Sequence, residues 1–183
     1  MVPEVRLRLR RPAEEEASSF GAKWHLDEVF IKMNGVQHYL WRAVDQNGAV
    51  IDILVQPRRD PWAALRLFRQ LLYAAERRPR VIITDKLRSY AAAKRLVLPN
   101  VIHRQSRYLN NRAENSHQPT RTRERQMKRF QSPEQVQRFL SIFESINAPF
   151  RLRRHLASAT RYRQLLKQAF RLWNNTALAT TLP

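Results

Sequence analysis

The stretch that most constrains the fold is Val81 to Tyr90, VIITDKLRSY. Three β-branched apolar residues followed by Thr84 read as a short strand buried on both faces, and Asp85-Lys86 marks its polar, exposed end. Asp85 therefore sits at a strand's carboxyl end. There the strand fixes the backbone while the next loop leaves the side chain free, which is why ligands and chemistry collect at such positions in open α/β sheets. The rest of the chain has to provide neighbouring strands, covering helices and other acids able to meet Asp85.

The neighbouring strands lie upstream. WHLDEVFIK (24–32) is rich in aromatic and β-branched residues, Asn34-Gly35 is a strong hairpin signal, and VQHYLWRAVD follows. A second turn at Asp45-Gln46-Asn47-Gly48 leads to AVIDILVQ, completing a three-strand antiparallel meander. In the first strand His25, Asp27, Val29 and Ile31 share one face, and Trp24, Leu26, Glu28 and Phe30 the other, so Asp27 and Glu28 point opposite ways. Large apolar residues on both faces imply a sheet covered on both sides.

Asp60-Pro61 opens a helix with Ala64, Leu65, Phe68, Leu71, Leu72 and Ala75 on one stripe. After the strand holding Asp85, residues 87–96 read as a helix and Val101-Ile102 as a very short strand. A polar, basic stretch follows, then a capping box at Ser132-Pro133-Glu134-Gln135 and a helix ended by Pro149; a last helix spans roughly 158–173. Trp24, Trp41, Trp62 and Trp173 fall at apolar positions and are expected in the core. Residues 1–23 lack apolar periodicity and read as a tail or linker, residues 24–175 as one ordered domain and 176–183 as a C-terminal tail. The expected class is α/β, a mixed five-stranded sheet with antiparallel first three strands, flanked by helices. This is the element order of the ribonuclease H-like fold.

Charge narrows the partners. The 183 residues hold 34 Lys and Arg against 15 Asp and Glu, a net charge of +19 that points to a polyanion such as nucleic acid. With no cysteine, disulfides and thiolate zinc sites are excluded, and no apolar run approaches the ~20 residues needed to cross a bilayer. The basic N-terminus lacks the apolar segment of a secretory signal. A soluble, cytoplasmic protein is expected.

Asp27 lies in the first strand, Asp85 ends the fourth 58 positions on, and Glu114 follows 29 positions later in the next helical region. Three carboxylates without His or Cys at ligand spacing favour a hard cation, Mg2+ or Mn2+. Two such ions could activate a water or a 3′-hydroxyl at a phosphodiester. Each acid also has a plainer reading: Asp27 as the partner of an arginine, Asp85 as a helix N-cap, and Glu114 as the far end of a capping box begun by Asn111. Pro119 requires any helix around Glu114 to kink or restart.

WHLDE at 24–28, YLWRAVD at 39–45, VIITDKLRSY at 81–90, HRQ at 103–105 and NNRAENSHQPTRTRERQMKRF at 110–130 together resemble the DDE transposases of bacterial insertion sequences. The similarity is to the small single-protein elements that move by replicative cointegrate formation, and it runs from about Trp24 to Trp173. It implies that Asp27, Asp85 and Glu114 form a catalytic, metal-binding triad holding two Mg2+ or Mn2+ ions. It further implies cleavage of transposon ends, strand transfer into target DNA, a homodimer or higher oligomer bridging the ends, and association with the nucleoid. Lys86, Arg88, His103, Arg104, Arg107, Asn110, Asn111, Arg112, His117, Arg121, Arg123, Arg125, Lys128 and Arg129 flank the acids and are expected to contact DNA; an ordinary solvated face is the alternative for any one of them. Members of the family carry a helix-turn-helix region ahead of the catalytic domain, so the 23 residues before Trp24 imply an N-terminally shortened form. The competing expectation is an inactive or repurposed remnant that binds nucleic acid without catalysis.

Overall fold

The computed structural model describes residues 22–75, 78–106, 108–127, 130–150, 152 and 157–179; Arg107, Lys128, Arg129 and most of the expected N-terminal tail lie outside them. The chain divides into a unit over Ser19–Leu140 and a second that includes Ser141–Pro183. All five strands, β1 (Lys23–Met33), β2 (Val36–Asp45), β3 (Val50–Gln56), β4 (Val81–Thr84) and β5 (Ile102–Gln105), belong to the first. The sheet order is β3-β2-β1-β4-β5, antiparallel across the first three strands and parallel from β1 to β5.

The Asn34-Gly35 turn behaves as its sequence requires. Both residues have positive φ, 48° and 80°, which suits a tight turn between right-twisted strands. A two-residue turn fixes the register, so Asp27 lies opposite Arg42 and Glu28 opposite Trp41.

Helices α1 (Pro61–Ala75) and α2 (Arg88–Val97) cover the Trp24, Leu26 and Trp41 face of the sheet. Asp60 caps α1, its Oδ1 accepting from the Ala63 amide at 2.8 Å. Tyr90 of α2 is fully buried and meets Trp41 and Phe68 edge-on, with ring centroids 5.4 and 6.3 Å apart. Trp62, by contrast, is 76% exposed: it heads α1 on the side opposite the apolar stripe, so it is not the core residue its hydrophobicity suggests.

The other face is met by α3 (Asn111–Ser116) and α4 (Gln118–Gln126). The helix restarts at Pro119, which sits in the first turn of α4, where its missing N–H has no intrahelical role. Arg42, fully buried, donates to the Ser116 carbonyl and the Thr120 hydroxyl and so ties both helices to β2. Helix α5 (Pro133–Asn147) opens with the expected cap: Ser132 Oγ accepts from the Gln135 amide, and Gln135 Oε1 from the Gln131 amide. The second unit contains α6 (Ala159–Ala179), which runs past the expected end of the last helix and beyond the position where the tail was expected to begin. Trp173 within it is only partly buried.

Candidate active site

β4 pairs with β1 only at Lys23, Trp24 and His25, so β1 continues past the end of its parallel neighbour. Asp85, one residue beyond β4, faces that uncovered edge. One carboxylate oxygen from each of Asp27, Glu28 and Asp85 lies within 4.8 Å of the others. Strand alternation does send Asp27 and Glu28 to opposite faces: Asp27 Oδ2 is 3.6 Å from His117 Nε2, at the start of α4, while Glu28 meets Tyr90 of α2. The open edge nevertheless lets both carboxylates converge on Asp85, which alternation alone does not predict.

The two neighbouring acids are held differently. Glu28 has 1% side-chain exposure; its Oε2 accepts from the Tyr90 hydroxyl at 2.6 Å and its Oε1 from Arg59 Nε at 2.7 Å. Burial raises the Glu28 carboxyl above its ordinary range, opposed by the Tyr90 and Arg59 bonds. Burial and Glu28 push the Tyr90 phenol well up, keeping it a donor. Tyr90→Phe removes that bond and leaves Glu28 Oε2 buried without it. A loss of about 1–3 kcal/mol is expected in urea unfolding; an unchanged midpoint would show that the bond contributes nothing.

Asp27 has no comparable support. Burial, then Glu28, Asp85 and Glu114, raise its carboxyl from 3.8 to about 7. His117 offers no countercharge, because burial together with Arg42 and Arg121 holds its imidazole well below the usual histidine value. The 3.6 Å contact is therefore with a neutral ring near pH 7 and is no ion pair.

Asp85 Oδ1 accepts from the Leu87 amide at 2.9 Å, in the turn ahead of α2; the helix cap itself is Leu87 and makes no side-chain bond. Glu114 is exposed on α3 and lies outside the 4.8 Å group, although it is near enough to raise Asp27. The cap of α3 is Asn110, one residue earlier than a capping box with Glu114 needs, so Glu114 is not tied back by one.

These donors fit a hard divalent cation. All are carboxylate oxygens, and two oxygens sharing one Mg2+ stand at most about 4.2 Å apart, so small rotations bring Asp27 and Asp85 to ligand separation. Burial first, and then the neighbouring carboxylates, raise Asp27, and a cation bound there would offset both. Glu28, with both oxygens already bonded, is the least available of the three.

This geometry has known relatives. A family described as a DDE domain, of the IS240 transposase type, matches residues 21–155. The chain belongs to this DDE domain family. The Staphylococcus aureus transposases of the insertion sequence-like element IS431mec and of IS257 in transposon Tn4003 are each 32% identical to it over 137 residues. That alignment covers 72% of this chain and 59% of each transposase, so the chain spans about three fifths of their length. Among solved structures, the HTLV-2 integrase catalytic core domain in complex with magnesium, in its trimeric form, shares the fold. Its TM-score is 0.51 at 12% identity, over 71% of this chain and 86% of that one. The DDE domain thus has the ribonuclease H-like α/β fold.

The basic residues expected to contact DNA divide by burial. On this DDE domain Lys86, Arg88, Arg104, Asn111, Arg112, Arg123 and Arg125 are exposed, and Arg121 is half-buried with its guanidinium 5.7 Å from the Phe30 ring centre. Asn110 and His117 are instead buried, each 2% exposed. Asn110 Nδ2 donates to the Leu26 carbonyl at 2.7 Å and anchors the start of α3 beside Asp27. His103 is half-buried, its Nε2 2.9 Å from the Thr84 hydroxyl, which makes it a link between β4 and β5. Glu28, Arg42, Arg59 and Tyr90 were not singled out from sequence. The hairpin register could have revealed Arg42, since the Asn34-Gly35 turn places it opposite Asp27.

Proposed function

We propose that this DDE domain is the catalytic part of a DNA transposase, cleaving at transposon ends and transferring the freed strand into target DNA. The observation that carries the reading is the meeting of Asp27 and Asp85 at the open edge between β1 and β4, with a donor set suited to a divalent cation. Asp27, Asp85 and Glu114 are the metal-binding acids, Glu114 contributing from the exposed surface of α3. Two Mg2+ or Mn2+ ions held there would supply Lewis acidity for attack by water or a 3′-hydroxyl and for departure of the leaving oxygen. The chain's own work is positioning: Leu87 fixes one oxygen of Asp85, and Asn110 fixes the backbone beside Asp27.

Lys86, Arg88, Arg104, Arg112, Arg121, Arg123 and Arg125, exposed or half-buried on segments that flank the acids in sequence, would neutralise phosphates of the transposon end and the target. Bridging two ends requires at least two copies, so a homodimer or larger assembly is part of the proposal, as is action at the nucleoid in the cytoplasm. Among the described residues no helix is long and apolar enough to cross a membrane.

The test is strand nicking and joining with supercoiled plasmid in Mn2+, Mg2+ or EDTA. Metal-dependent products are expected; a chain that binds DNA but yields none in any metal overturns the catalytic reading. Duplex binding should weaken steeply with salt, the log–log slope reaching roughly −0.9 per phosphate neutralised. An affinity unchanged between low and high salt would contradict phosphate contact.

A further inference from the structure

Arg59 lies in the connection between β3 and α1, and nothing in the sequence marks it among the chain's many arginines. Its guanidinium is committed on one side only. Nε donates to Glu28 Oε1 at 2.7 Å, Nη2 also meets that oxygen, and Nη2 lies 3.6 Å from Asp85 Oδ2. Nη1 has no partner among the described residues, and the side chain is 42% exposed beside a Glu28 side chain that is 1% exposed.

This is an unusual use of a buried carboxylate. Glu28 already receives the Tyr90 hydroxyl on its other oxygen, so Tyr90 and the sheet fix Glu28, and Glu28 in turn fixes Arg59. A side-on pair through Nε and Nη2 directs Nη1 away from the carboxylate it is paired with. Here Nη2 lies 3.6 Å from the metal-ligand candidate Asp85, and Nη1, on a side chain that is 42% exposed, is left for a further acceptor. A guanidinium presents its donors in a rigid fork, so anchoring two of its nitrogens sets the direction of the third.

We infer that Arg59 is a catalytic cation for phosphodiester attack, donating from Nη1 to a non-bridging oxygen of the scissile phosphate beside Asp85, with Glu28 and Tyr90 as its positioning residues. The inference rests on the strand-transfer reading above. In that reaction the attacking oxygen, from water or a 3′-hydroxyl, forms a bond to phosphorus and gives its proton to solvent. The bond from phosphorus to the leaving 3′-oxygen breaks, and that oxygen takes up a proton. Arg59 keeps its own protons throughout and holds charge that builds on the phosphate oxygens. A preset donor of this kind is effective because it needs no reorganisation as the charge develops.

The experiment compares the native chain with Arg59→Gln, Arg59→Lys and Glu28→Gln in single-turnover joining of a duplex with a free 3′-hydroxyl in Mn2+. Duplex affinity and Mn2+ binding by calorimetry are measured on the same samples. Arg59→Gln should slow joining by about 10²–10³-fold, the usual loss for a preorganised donor. Arg59→Lys should recover little, because a point charge lacks the fork, and Glu28→Gln should fall between native and Arg59→Gln. Mn2+ binding should persist, and duplex affinity should change far less than the rate. A native chain that joins DNA alongside an unimpaired Arg59→Gln overturns the inference alone. So does loss of Mn2+ binding in step with the rate, which would make Arg59 only a support for Asp85. A native chain inactive in every metal overturns the strand-transfer reading and this inference with it. If Arg59→Gln fails to fold, Arg59→Lys decides on the same readouts.

Discussion

Asp85→Asn should abolish metal-dependent nicking and joining while leaving duplex binding within a few-fold of native. Asparagine keeps the shape of the side chain, and its oxygen can still accept from the Leu87 amide, so the turn ahead of α2 is preserved. What disappears is the charge proposed to bind a divalent cation. If the ions contribute several kcal/mol at the transition state, losing one ligand charge corresponds to a rate decrease of about 10³-fold or more. Nicking of supercoiled plasmid in Mn2+ checks this directly. Equal activity in both proteins would remove Asp85 from the mechanism, and equal inactivity with DNA binding retained would favour a nucleic-acid-binding domain without catalysis.

The reach of the sequence follows from which features are local. Asn34-Gly35 specifies a two-residue turn, the turn fixes the register, and the register places Asp27 opposite Arg42. The apolar run of β4 and the cap at Asp60 are equally local, and both appear where the pattern puts them. The approach of Glu28 to Asp85 is different, since it depends on β4 being shorter than β1 at their shared edge, a property of two strands 58 positions apart at Asp27 and Asp85. Arg59 was hidden for a statistical reason: one arginine among 34 cations carries no signal until its partners are seen. Asn110 and His117 stand in a basic, polar stretch whose composition suggests solvent, yet both are buried, Asn110 by bonding a strand carbonyl. Trp62 shares a helical line with exposed Arg66 and Arg69, so its position on the outer side of α1 was legible in spacing although its apolar character argued otherwise.

Asp27→Asn should make the metal-free protein more stable while destroying its activity. The Asp27 carboxyl stands at about 7 in the folded protein against an ordinary value of 3.8. Between those pH values the folded chain holds a proton that the unfolded chain releases, so stability falls as pH rises through this window and is lowest above it. The difference of about 3 units sets a ceiling of roughly 4 kcal/mol on what ionising Asp27 removes. Asparagine cannot ionise and escapes that loss. In EDTA at pH 8 its thermal midpoint should exceed native by about 5 °C or more, and the gap should close toward pH 4. Mn2+ should raise the native midpoint more than the variant's, because a cation relieves the repulsion that asparagine has already removed. Equal midpoints at pH 8 in EDTA would show that Asp27 is not held under electrostatic stress. A native chain that gains no stability from Mn2+ would separate that stress from metal binding. The expected pair of results, a more stable protein with no chemistry, follows from one cause: a buried carboxylate crowded by other acids at the edge of β1 costs stability until a cation offsets it.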